Sequence, residues 1–189
     1  MQQVTFTGPS LALFELESLA RGVVVADALV KQARVHLAVA DAVTPGKYLL
    51  IFTGDVGEVE EAWKVGLEVG GAMIIDKLLL PHVAEAIPAA ILGSLARSAS
   101  DDATGLVETH TVASALLAAD TALKRANVRL THLQLARGIG GKGWFMLAGA
   151  QHDVEAALEG VAAVVQPPLL VATELIHRPH AELRGRVIS

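Results

Sequence analysis

The sequence predicts an α/β (α+β) chain made of two tandem copies of one β-α-β-β-α-β unit, each a four-stranded antiparallel sheet with both helices on one face. Three observations predict it. Two blocks of the first half recur in the same order in the second half. Strand-like alternation and helix-like spacing follow one another in the same sequence within each copy. The core must also be built from small aliphatic side chains, because 52% of the 189 residues are hydrophobic but only 4% are aromatic. Such side chains suit thin layers in close helix–sheet contact.

The first repeated block is LALFELESLARGVVVADALVKQARVHL, from Leu11 to Leu37, which matches TGLVETHTVASALLAADTALKRANVRL, from Thr104 to Leu130, at an offset of 93. Glu15 falls on Glu108, Asp27 on Asp120 and Lys31 on Lys124. The second block, KYLLIFTGDVGEVEEAW from Lys47, matches KGWFMLAGAQHDVEAAL from Lys142 at an offset of 95. The two-residue change lies between the blocks, where a loop absorbs length at little cost. The units are placed at residues 1–97 and 98–189, joined by a linker near Pro88–Gly105 where SLARSASDDATG is rich in turn formers.

Each element has a local reason. Leu11–Glu17 alternates as a first strand. Ser18 is an N-cap for a helix over Arg21–Gln32 with Val, Ala and Leu on one side. Val35–Val43 reads as the second strand, Thr44-Pro45-Gly46 as a turn and Lys47–Thr53 as the third strand. Asp55 stands at the cap position of a helix over Val56–Val69, and Ala72–Leu80 completes the unit. The order is that of the ferredoxin-like topology, which many unrelated functions share. The sheet face away from the helices must then meet solvent or a neighbour.

Composition excludes several function classes. The net charge of −5, divided as about −4 over 1–97 and −1 over 98–189, argues against a nucleic-acid surface. The Arg184/Arg186 pair is too short to be a basic tract. No cysteine is present, which rules out disulfides and thiolate chemistry. No apolar run approaches the length needed to span a bilayer, and no signal-peptide pattern opens the sequence, so a cytosolic chain is expected.

Few residues offer candidate chemistry. Seven histidines include His36 and His132 in the second strand of each copy, but no metal-ligand spacing such as HExxH occurs. Glu15 and Glu108 are equivalent carboxylates without a neighbouring nucleophile or base, so they read as surface or interface groups. The glycines of Gly138-Ile139-Gly140-Gly141-Lys142-Gly143 resemble a phosphate loop, yet they lead into Trp144-Phe145-Met146-Leu147, a strand rather than a helix. What the loop offers is close backbone approach. Lys31 and Lys124 sit late in equivalent helices, where they favour the helix dipole and can pair with Asp27 and Asp120 four residues earlier. No enzymatic set and no cofactor is expected.

These residues carry a resemblance. The run ADTALKRANV, the Ile139-Gly140-Gly141 loop before a strand ending in Gly149, the helix DVEAAL and the closing Ile176-His177-Arg178-Pro179-His180 resemble the bacterial microcompartment shell domain. The similarity covers roughly residues 10–87 and 103–183, in the unpermuted order. It implies a homotrimer that mimics a hexamer, with a central pore for small metabolites. It also implies tiling beside hexameric and pentameric shell proteins in the cytoplasm, around encapsulated enzymes, with no nucleic acid or membrane partner. By the same resemblance, Thr44, Pro45, Gly46, Ile139, Gly140 and Gly141 line the pore, while Lys31, Lys124 and Arg178 form tile edges. The first copy has Leu80-Pro81-His82 where the second has Arg178-Pro179-His180, so the two edges differ. Relatives that hold an iron–sulfur cluster at the pore use cysteines, which this chain lacks. The competing expectations are a duplicated small-ligand-binding regulatory protein and an enzyme with a cleft between its halves.

Overall fold

The computed structural model describes residues 6–95 and 102–184. The boundary expected at 97/98, the middle of the linker run (96–101) and Arg186 lie outside the described residues. Two compact units are present, Met1–Val83 and Ala84–Ser189.

The first unit runs β1 (Ser10–Leu16), α1 (Leu19–Gln32), β2 (His36–Val43), β3 (Lys47–Gly54), α2 (Val56–Gly70) and β4 (Ile74–Leu80). Its sheet order is β2-β3-β1-β4, with every pair antiparallel. Ser18 caps α1 by accepting from the Arg21 N–H at 3.2 Å, as its sequence position suggests. Asp55 occupies the cap position of α2 but makes no side-chain cap bond. The fourth strand starts later than expected, because Gly71 at φ +51° begins a 3₁₀ turn over Gly71–Met73.

Alternation along β1 sends Ala12, Phe14 and Leu16 toward Val25, Leu29, Val59 and Ala62 of the two helices. Phe14 stacks between Phe52 and Trp63, with ring centroids 5.9 and 4.6 Å away. The opposite face is not left to solvent: Leu11, Leu13 and Ile51 are fully buried.

The second unit opens with α3 (Ala86–Ile91), a helix that the linker reading missed, and which packs on elements of this unit. The order then repeats: β5 (Ala103–Thr109), α4 (Val112–Arg125), β6 (Arg129–Leu135), β7 (Gly143–Gly149), α5 (Gln151–Val164) and β8 (Leu170–His177), with α6 (Ala181–Arg184) after it. The sheet order β6-β7-β5-β8 reproduces the first. Thr111, the counterpart of Ser18, caps α4 through the Ser114 N–H at 3.2 Å.

The copies differ in side-chain size at equivalent helix–sheet contacts. In the first, Gly22 of α1 makes room for the Tyr48 ring; in the second, the same contact is Ala115 against Gly143. Gly66 lies under Phe14, whereas the equivalent positions are Val161 and Val107. In the second exchange a glycine under a large ring becomes two side chains of middle size, which roughly conserves volume, where a one-sided change would open a cavity or force strain.

Candidate functional site

Two turns stand at equivalent ends of the two sheets. In the first unit, Thr44-Pro45-Gly46 joins β2 to β3, and all three residues are exposed. The Thr44–Pro45 peptide is cis and Gly46 takes φ +116°. The Gly46 N–H donates back to Val43 at 2.8 Å.

The counterpart in the second unit is longer, spanning residues 136–142 between β6 and β7. Left-handed conformations at Ala136, Gly138, Gly140 and Gly141 fold it on itself, which is why glycine is needed there. The Ala136 carbonyl accepts from Ile139 at 3.4 Å and from Gly141 at 3.1 Å, and the Ala136 N–H donates to Lys142 at 2.8 Å. The Ile139 and Gly141 N–H groups are therefore spent inside the turn. Among the described residues, the N–H groups of Gly138 and Gly140 have no partner. Gly140 is exposed, with open space where a Cβ would stand.

Side chains outside the turn hold it in place. Trp144 donates its indole N–H to Gln134 Oε1 at 3.0 Å, and Gln134 Nε2 donates to the Arg137 carbonyl at 2.8 Å. His132 lies against Trp144 at 4.9 Å between centroids, with its Nε2 buried and unpartnered. Sequence reasoning missed Gln134 and Trp144 as supports, because their residue types carry no signal before the β6–β7 register is known.

The equivalent carboxylates also find a role. Glu15 pairs with Lys47 at 3.1 Å, and Glu108 pairs with Lys142 at 2.7 Å. Each lysine stands where a turn enters its strand, so the same ion pair ties turn to sheet in both copies. The repeat aligned all four residues; the cross-strand register that joins them is tertiary. The first pair is enclosed, with Glu15 at 2% and Lys47 at 18% exposure, while Glu108 and Lys142 keep 39% and 40%.

At the helix ends, Lys31 bonds Asp27 at 2.6 Å and Lys124 bonds Asp120 at 2.7 Å. Asp27 is exposed, but Asp120 is buried and its second oxygen accepts from the Ala84 N–H at 2.8 Å. Arg178 is exposed just past β8, in the left-handed region at φ +47°, with its N–H bonded to Asp102 at 2.8 Å. Its counterpart Leu80 is buried within β4. Among the described residues, no group of three or more His, Asp or Glu side chains is placed to hold a metal ion. No helix among them is long and apolar enough to cross a membrane.

Comparison with known proteins accounts for this layout. The BMC domain family model matches twice, at residues 10–83 and 103–179. The bacterial microcompartment shell protein PduT of Citrobacter freundii is 38% identical over 95% of this chain and 98% of its own length. The crystal structure of a microcompartment protein from Desulfitobacterium hafniense superposes with a TM-score of 0.83 at 35% identity, over 93% of this chain and 98% of that one. The fused permuted hexameric shell protein of the RMM microcompartment shares the fold at 22% identity, with a TM-score of 0.61 over 82% of this chain and 80% of that one. The duplicated sheets and paired turns are those of two such domains in tandem: the chain belongs to the BMC-domain family, as a tandem-domain structural subunit that forms pseudohexameric tiles in the shell of the cytoplasmic bacterial microcompartment.

Proposed function

We propose that three chains close into a ring whose central pore passes small metabolites and is lined alternately by Thr44-Pro45-Gly46 and Ile139-Gly140-Gly141. The observation that carries the reading is the equivalence of the two turns, each at the same end of the same sheet and each tied to it by the same Glu–Lys pair. The two sets of turns give the pore threefold, not sixfold, chemistry. Pro45 offers no N–H, whereas Gly138 and Gly140 each present one, and such donors favour small anionic or polar solutes. Lys31, Lys124 and Arg178 make edge contacts with other shell proteins, hexameric and pentameric, around the encapsulated enzymes.

The test is solute flux through assembled shells. Gly140→Trp meets open space, and at φ +67° it costs only about 1–2 kcal/mol of backbone strain. The variant is expected to fold and tile normally but to slow entry of small anions at least severalfold. Unchanged flux would show that solutes cross elsewhere.

A further inference from the structure

The run Gly138–Gly143 feeds a strand and so is no P-loop, yet its turn gathers donors of the kind that hold an oxyanion. The N–H groups of Gly138 and Gly140 have no partner among the described residues. Nothing blocks the approach to Gly140, because open space stands where its Cβ would be. Gln134 Nε2 lies 3.6 Å from where a Gly138 Cβ would stand. It donates one N–H to the Arg137 carbonyl, and its second N–H has no partner among the described residues. Lys142, at the end of the turn, adds an ammonium. Its partner Glu108 is 39% exposed and Lys142 itself 40%, so this pair opens at small cost.

The first copy keeps the position of the turn and changes its chemistry. Strand register pairs Asp41 with Leu49 and Gln134 with Trp144, which makes Asp41 the counterpart of Gln134. An exposed carboxylate therefore stands where the second copy has a donor amide. Pro45 has no N–H, and the Gly46 N–H is bonded to Val43 at 2.8 Å. Lys47 is held by Glu15, whose side chain is 2% exposed, and an enclosed pair breaks only at high cost. None of Asp41, Pro45, Gly46 and Lys47 is equipped to hold an anion.

We infer that the turn of the second copy is a binding site for the oxyanion group, carboxylate or phosphate, of a small solute. The N–H groups of Gly138 and Gly140 and the Gln134 amide hold its oxygens, and the Lys142 ammonium exchanges Glu108 for the ligand. Hydrogen bonds to a charged oxygen are roughly twice as strong as neutral ones, so an anion gains where a neutral solute of the same shape does not. Glu108 is the competitor: its carboxylate occupies Lys142 in the absence of ligand and repels the ligand once it is bound. The inference deepens the pore reading and rests on it for the role of the site. It makes the second copy the selective half of the ring and the first a spacer.

Binding is read by nuclear magnetic resonance on the assembled protein carrying isotope-labelled glycine, whose 17 glycines give a spectrum sparse enough to follow Gly138 and Gly140. Titration with acetate or inorganic phosphate should move both amide signals saturably, and acetamide should not. Lys142→Gln should weaken binding about fivefold or more, Lys142→Arg should restore it, and Glu108→Gln should tighten it about threefold. Lys64→Gln removes another exposed, paired lysine, on α2, and should leave the affinity unchanged. Saturation by acetate alone assigns the site to carboxylates, by phosphate alone to phosphate esters, and by both to small oxyanions of either kind. Signals that do not saturate, signals that respond equally to acetamide, or an affinity that stays the same in Lys142→Gln or in Glu108→Gln overturn the inference. Flux separates it from the pore reading. Slowed flux in Gly140→Trp without saturable binding in the wild type overturns the site alone, whereas saturable binding with unchanged flux overturns the pore and leaves the site standing.

Discussion

Lys47→Met and Lys142→Met remove the same lysine from the two copies, yet they should differ several-fold in cost. Lys47 is the ammonium partner of Glu15, whose side chain is 2% exposed. Removing it takes a cation away from a carboxylate held in a poorly solvated place, where breaking an ion pair costs up to about 3–5 kcal/mol. Lys47 itself keeps 18% exposure, so the low end applies, about 3 kcal/mol. Glu108 is 39% exposed and water takes over for Lys142, so the loss there is about 1 kcal/mol or less. For a chain of this size, 1 kcal/mol moves the melting midpoint by roughly 2–4 °C, which gives a fall of about 6–12 °C against about 4 °C at most. Thermal unfolding at one fixed protein concentration is the assay, because assembly makes the midpoint concentration-dependent. A double-mutant cycle with Glu15→Gln isolates the pair, and a coupling well above 1 kcal/mol is expected. Equal losses for the two lysine variants, or a coupling near zero, would refute the argument that enclosure sets the worth of the pair.

Other outcomes follow from local geometry. Gly66→Ala drives a Cβ into the Phe14 ring and to 3.2 Å from Leu29, so overpacking outweighs helix propensity and about 1–2 kcal/mol of stability is lost. Gly57→Ala, with open space around it, gains about 0.5 kcal/mol; urea midpoints of the two variants should move in opposite directions. Burial, with a smaller push from Asp41, raises the Tyr48 phenol above its ordinary 10. Since the folded chain holds this proton more tightly, the associated stability is complete below pH 10 and is lost as pH rises through the folded value. Tyr48 is the only tyrosine, so phenolate absorbance reads it directly, and a midpoint at or below 10 would contradict the burial argument. Lys31→Ala should cost at most about 0.5 kcal/mol as an exposed i,i+4 pair, and Lys124→Ala more, because Asp120 is buried. Electron microscopy of the double variant should show fewer extended sheets, and undiminished sheets would remove both lysines from the tile edge.

The sequence by itself determined the duplication, the order of the elements and the Asp–Lys pairs. All three are local: caps, strand alternation and i,i+4 spacing act within a few residues, and a repeat is visible by alignment alone. It also marked both turns through their glycines and Pro45. It did not reveal α3, because six residues of Ala, Ile and Pro have little intrinsic reason to be helical and are held by packing. Nor did it show that Glu15 meets Lys47 or that Gln134 braces the long turn, since those contacts need strand register across 10 to 34 residues of chain. The fate of the turn N–H groups likewise depended on how residues 136–142 close on the Ala136 carbonyl. Above all, tertiary structure decided where two copies of one architecture part ways. Helices α1 and α4 read alike as sequences, but burial is a property of what lies around a residue, so only the fold could cover Leu116 and leave Val23 bare.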